Sequence, residues 1–223
     1  MLAVLAAAAV AAAIALDRWA FATLVSPGIY DRDLGRLLRV AGFLPTWLLA
    51  SLAIGLHDRG AAVSLPWRGW RRGATVVAAA AVAGAAAEVL KLLVRRERPL
   101  DHAGAYVFRA WSDRPFSTAG LGMPSSHTLV AFGAAAALGE LFPRTRWVWY
   151  GLAAGCGLSR VLAQAHFLSD VVVAAVVGTV IGIWLGRGGR LPLRARGFPR
   201  RPGRRPRRAS SRPRAGRARR QHA

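Results

Sequence analysis

Long apolar runs constrain the fold of this chain more than any other feature. A helix that crosses a bilayer needs roughly 20 mostly apolar residues, with about 17 at the short end. Runs of that kind occupy residues 2–16 (extending toward 25), 40–56, 74–94, 126–142, 147–163 and 167–186. They are rich in Ala, Leu and Val and show no period-two alternation, which excludes strands. The expectation is an all-α polytopic membrane protein with about six transmembrane helices. The first run lacks the basic flank of a cleaved signal peptide and reads as a retained helix, with Asp17 and Arg18 near the interface. Pro45 is expected to kink the second run. Residues 31–39, where charge alternates with Leu34, Leu37 and Leu38, suit a short amphipathic helix on the membrane surface.

Such hydrophobicity sits oddly with a net charge of +22 over 223 residues until the charge is located. Residues 187–223 hold 15 arginines and no acidic residue, leaving +7 for everything before them. Residues 1–186 therefore read as a membrane-embedded domain and 187–223 as a disordered Arg-rich tail. Anionic lipid headgroups are the expected partner of the tail. Nucleic acid is disfavoured, because a single aromatic residue, Phe198, accompanies the arginines, too few for base stacking. With six spans, both termini share a side with the connector carrying Arg59, Arg68, Arg71 and Arg72 and with the turn carrying Arg144 and Arg146. The tail makes that side cytoplasmic by the positive-inside rule, in a cell (inner) membrane. One cysteine, Cys156, permits no intramolecular disulfide.

Ionisable residues at the ends of apolar spans are costly and mark function. Lys91 and Arg98 end the third span, His127 opens the fourth, Arg160 closes the fifth, and His166 and Asp170 open the sixth. Parity returns all six to one membrane face, opposite the tail. Three cations, Lys91, Arg98 and Arg160, suit a phosphate dianion and the charge that develops during its transfer. Pro124-Ser125-Ser126-His127 begins a helix, with a serine at the cap and outward N–H groups that favour anions. His166 and Asp170 are four apart, so a helix would place them on one face. The carboxylate would then fix the tautomer of a nucleophilic imidazole, while His127 protonates the leaving oxygen. Arg95 and Arg96 read as snorkelling side chains, Glu97 as a surface partner, His102 as solvated, and Glu88 as a structural partner of Lys91.

Three ordered motifs at these residues resemble those of the type-2 phosphatidate phosphatase superfamily, which also includes bacterial undecaprenyl-diphosphate phosphatases and vanadium haloperoxidases. K-x-x-x-x-x-x-R-P matches Lys91 to Pro99, with the lysine supplied by the single lysine of the chain. P-S-G-H matches Pro124 to His127 with Ser126 in place of glycine, which keeps the backbone donor and adds bulk. S-R-x-x-x-x-x-H-x-x-x-D matches Ser159 to Asp170. The resemblance implies that His166 accepts the phosphate, that Asp170 orients it and that His127 is the general acid. It also implies that Lys91, Arg98, Ser125, Ser126 and Arg160 bind phosphate. With three cations in the place of Mg²⁺, and no Cys/His cluster or paired carboxylates at ligand spacing, no metal or other cofactor is expected.

The implied activity is hydrolysis of a membrane lipid phosphate or diphosphate at the extracytoplasmic face. Transfer of the phosphoryl group to an alcohol would use the same site. A vanadium haloperoxidase is disfavoured by the apolar spans, and a non-catalytic lipid binder by the complete set of motif residues.

Overall fold

The structure is a computed structural model that describes residues 1–61 and 69–188. Regular secondary structure among these residues is helical, apart from isolated bridges pairing Arg96 with Phe108 and Glu97 with Leu121. The α-helices are α1 (Leu2–Thr23), α2 (Asp33–Val40), α3 (Leu44–Ala61), α4 (Arg71–Val94), α5 (Ser126–Leu141), α6 (Arg146–Leu162) and α7 (Leu168–Gly188). Each of the six apolar runs is thus helical. Three of them, α1, α4 and α7, are long and apolar enough to cross a bilayer, and α2 with α3 makes a fourth if that bent pair counts as one span. Helices α5 and α6 have 16 and 17 residues, roughly 24–26 Å at the helical rise, short of the ~30 Å hydrocarbon core. Length and composition therefore support three or four spans, where the sequence suggested six.

Packing explains why α5 can be short. Ten of its residues, from Thr128 to Leu138, are buried. It meets α4 through Ala83, Ala87 and Leu129, α6 through Ala131, Ala135, Ala153 and Cys156, and α7 through Ala174. Around this centre the outward faces stay apolar, with Leu5, Trp19, Leu49, Leu93, Trp147 and Trp184 all exposed. A contiguous apolar exterior of this kind is stable against lipid rather than water.

Small residues set the helix spacing. A β-carbon on Gly182 of α7 would lie 2.3 Å from the carbonyl oxygen of Gly133 on α5 and 2.6 Å from the Ala136 β-carbon. Gly151 on α6 has no such neighbour within 4 Å. Gly182→Ala should therefore destabilise the bundle by about 1–3 kcal/mol through overpacking. Gly151→Ala should be neutral or slightly stabilising, since alanine is the better helix former. Thermal unfolding of both variants in one detergent checks the contrast, and equal melting curves would remove the argument.

Two local expectations change. The chain bends by 71° between α2 and α3, at residues 41–43, where the Trp47 indole N–H donates to the Ala41 carbonyl at 2.9 Å. Pro45 sits just beyond this bend, in the first turn of α3, where its missing N–H removes no helical hydrogen bond. The kink at Pro45 expected from sequence is thus a break before it. Arg95 does not snorkel. It ends α4 with φ 58°, is 2% exposed, and donates to the carbonyls of Arg109, Ala110, Asp113 and Pro115 at 2.6–3.3 Å. One buried guanidinium thereby gathers the loop between α4 and α5. The Arg68 part of the basic connector, and the Arg-rich tail from residue 189 onward, lie outside the described residues.

Candidate active site

The loop ends of α4, α5, α6 and α7 that carry the motif residues meet at one end of the bundle. Lys91, in the last turn of α4, is 6% exposed and its Nζ lies 3.2 Å from Glu88 Oε1. That same oxygen accepts the Ser126 hydroxyl at 2.8 Å, so Glu88 ties α4 to the start of α5. The residue that departs from P-S-G-H thus has its hydroxyl engaged by Glu88. Ser125 is at the N-cap of α5, but its side chain does not cap the helix. Its oxygen accepts the Thr128 hydroxyl at 3.0 Å, and its backbone N–H donates to the Asp170 carbonyl at 3.2 Å. The next N–H groups, the first in the helix, have no intrahelical acceptor and remain suited to an anion.

From the other side come Arg160 at the end of α6 and the turn leading into α7. Arg160 is 6% exposed and donates from Nη1 to the Tyr30 hydroxyl at 2.8 Å. His166 lies in the turn and Asp170 in the first turn of α7, so they do not share one helix as the i,i+4 spacing suggested. They still face one another, with Nδ1 3.6 Å from Oδ2, an ion-pair distance too long for a hydrogen bond. Asp170 Oδ2 instead accepts the Phe167 backbone N–H at 2.9 Å, the reciprocal half of a capping box that fixes where α7 begins. Burial pushes the His166 imidazole below its ordinary pKa, with the Asp170 carboxylate opposing the shift.

Lys91, Arg98, His127, Arg160, His166 and Asp170 each lie within electrostatic reach of at least two of the others. Arg98 Nε, Arg160 Nε, His127 Nε2 and His166 Nδ1 are buried without a hydrogen-bonding partner among the described residues. Buried polar nitrogens without partners are costly, and several around one point suit a polyoxyanion. Among the described residues no three His, Cys, Asp or Glu side chains converge to hold a metal ion.

Sequence reasoning missed the layer behind Asp170. Arg96, read as a snorkelling side chain, is 4% exposed and donates from Nη2 to Asp170 Oδ1 and, at 2.7 Å, to Ser169 Oγ. Asp17 of α1, placed near the interface by sequence, is fully buried. It accepts the Ser169 N–H at 2.7 Å, the Ser169 hydroxyl and the Tyr106 hydroxyl, and lies 3.9 Å from Arg96 Nη1. Burial and the bond to Asp17 push the Tyr106 phenol up to about 12. Glu97 and His102, read as surface groups, hydrogen-bond to each other, and Glu97 also accepts from Arg109 Nε at 2.8 Å. The Arg109 bond, followed by His102, holds the Glu97 carboxyl below its usual range. The one available signal was Asp17 itself, a charge inside an apolar run.

The family model of the PAP2 superfamily matches residues 72–188, which contain all eight motif residues. The chain belongs to the PAP2 superfamily. Within it, curated relatives include a lipid A 1-phosphatase of Rhizobium johnstonii, 40% identical over 45% of this chain and 39% of the relative. Another, of Rhizobium etli, is 38% identical over 55% of this chain and 50% of the relative. A third, of Porphyromonas gingivalis, is 38% identical over 36% of this chain and 19% of the relative. The matched stretches thus span half or less of those proteins. No solved structure matches the chain. Asp17, Tyr30 and Arg39 lie upstream of the stretch that the PAP2 model matches.

Proposed function

We propose that this protein is a metal-independent membrane phosphatase that hydrolyses lipid phosphates or diphosphates through a phosphohistidine. The observation that carries the proposal is the cluster of Lys91, Arg98 and Arg160 around His166, with partnerless buried nitrogens, at one end of an apolar bundle. Its membership of the PAP2 superfamily and its likeness to lipid A 1-phosphatases support a lipid-borne substrate. With Nδ1–H facing Asp170, the His166 Nε2 lone pair attacks phosphorus. The phosphorus–oxygen bond to the lipid breaks, and His127 gives its proton to the departing oxygen. Water, deprotonated by His127, then displaces the imidazole and releases phosphate. Lys91, Arg98, Arg160 and the first N–H groups of α5 hold the phosphoryl oxygens throughout, and Ser125 keeps α5 against Asp170.

Orientation follows from charge. Arg71, Arg72, Arg144, Arg146 and Arg187 lie at the end of the bundle away from His166. The positive-inside rule puts that end and the Arg-rich tail in the cytoplasm, and the site at the extracytoplasmic face of the cell membrane. A pocket at headgroup depth takes a phosphate whose lipid tail stays in the bilayer. Phosphate release by the purified protein should therefore survive EDTA. It should also proceed with kcat/KM at least about tenfold higher for lipid phosphates than for a soluble sugar phosphate. Strict dependence on an added divalent metal, or equal kcat/KM for the two classes, would overturn the proposal.

A further inference from the structure

A fourth cation stands on the wall formed by the chain before α3. Arg39, in the last turn of α2, holds its guanidinium 4.8 Å from the Tyr30 ring centroid and 5.7 Å from that of Phe43. Both rings are fastened to the site. The Tyr30 hydroxyl accepts from Arg160 and donates to the Ser159 carbonyl at 3.0 Å, while the Phe43 ring packs edge-on against the His127 imidazole at 5.0 Å. Arg39 makes no ion pair or side-chain hydrogen bond among the described residues, and its Nε is buried without a partner. Arg39 and Arg160 both line a groove of about 490 Å³, together with Tyr30, Gln164 and Leu100. Asp31 is the one carboxylate among the residues that line the groove. Two arginines held close by a shared tyrosine repel each other, and an anion between them would relieve that repulsion.

We propose that Arg39, with Arg160, forms a second anion subsite on the leaving-group side of His166, built for the inner phosphate of a diphosphate. The inference rests on the roles given above to His166 and His127. Arg39 stands on the His127 side, because Phe43 touches both, so the group that departs past His127 passes Arg39. An alkoxide leaving from a monoester presents carbon there, whereas a departing phosphate presents oxyanions. His166 Nε2 forms a bond to the terminal phosphorus as the bridging oxygen separates from that phosphorus with the electron pair. His127 supplies the proton to the bridging oxygen and a lipid monophosphate leaves. Water then cleaves the nitrogen–phosphorus bond, returning its proton to His127 and releasing orthophosphate.

The test compares wild type, Arg39→Gln and Arg39→Lys on a prenyl diphosphate and a phosphate monoester of the same chain. Arg39→Gln should lower kcat/KM for the diphosphate at least about tenfold more than for the monoester, with partial recovery in Arg39→Lys. Binding of inorganic pyrophosphate and orthophosphate, followed by calorimetry, adds a readout free of turnover. Wild type should bind pyrophosphate more tightly, and Arg39→Gln should lose that preference. Equal losses on both substrates, or an unchanged pyrophosphate preference, would overturn the subsite and leave Arg39 a structural clamp on two rings. A wild type that turns over neither lipid would defeat the phosphatase reading, while the pyrophosphate measurement would still decide the subsite.

Discussion

Replacing His166 with alanine is expected to reduce phosphate release by roughly 10⁴-fold or more, the scale on which hydrolases lose rate with their nucleophile. His166 is buried, 3% exposed, so no other nucleophile from bulk solvent stands in its place beside Asp170. Its Nδ1 faces Asp170 at 3.6 Å, which leaves Nε2 for attack. The cations that remain in the variant still hold phosphate, so substrate binding should survive and the loss should fall on kcat. A second signature is covalent: wild type quenched in base should retain phosphate on protein in an acid-labile form, and His166→Ala should not. The pH profile carries a sign as well. Burial lowers the His166 pKa, so the neutral nucleophile persists to lower pH and the acidic limb should fall below the ordinary imidazole range. A folded His166→Ala protein with wild-type turnover would end the assignment.

What the sequence disclosed was whatever local spacing encodes. Long Ala- and Leu-rich runs specify helices without reference to neighbours, and their parity is enough to bring Lys91, Arg98, His127, Arg160, His166 and Asp170 to one end. Hidden from it was whatever depends on which helix packs against which. Asp17 and Ser169 are 152 residues apart, and only the docking of α1 on α7 makes one the acceptor of the other. Arg96 looked like an interfacial side chain because arginine two residues past an apolar helix usually is one. Its burial follows from the loop that Arg95 gathers over it and from the rings of Tyr106 and Phe167, 5.1 and 4.9 Å away. The pairing of His166 with Asp170 was legible, yet its cause differs. A turn and a capping box, instead of a shared helical face, bring the two together. Span number was the least legible quantity, since α5 is as apolar as a membrane helix but is surrounded by protein.

Arg96→Met should cost about 3–5 kcal/mol of stability and most of the turnover, because it leaves a buried carboxylate without its cation. The Arg96 and Asp170 side chains are 5% and 0% exposed, so water cannot replace the lost partner. Arginine's planar fork is essential to the arrangement. Nη2 serves Asp170 and Ser169 while Nη1 approaches Asp17 and the guanidinium lies against two aromatic rings. A lysine has a single ammonium and no plane, so Arg96→Lys should recover only part of the loss. Two carboxylates, Asp17 and Asp170, share this one guanidinium, and removing it leaves both to repel each other across Ser169. The double variant Arg96→Met, Asp170→Asn should therefore regain stability relative to Arg96→Met alone, while turnover stays low because His166 has lost its carboxylate. Thermal unfolding and turnover measured on the four proteins of this cycle separate the two effects. If Arg96→Met instead kept wild-type melting and turnover, Arg96 would be the snorkelling residue that its place in the sequence suggested, and Asp170 would owe its position to Phe167 and Ser125 alone.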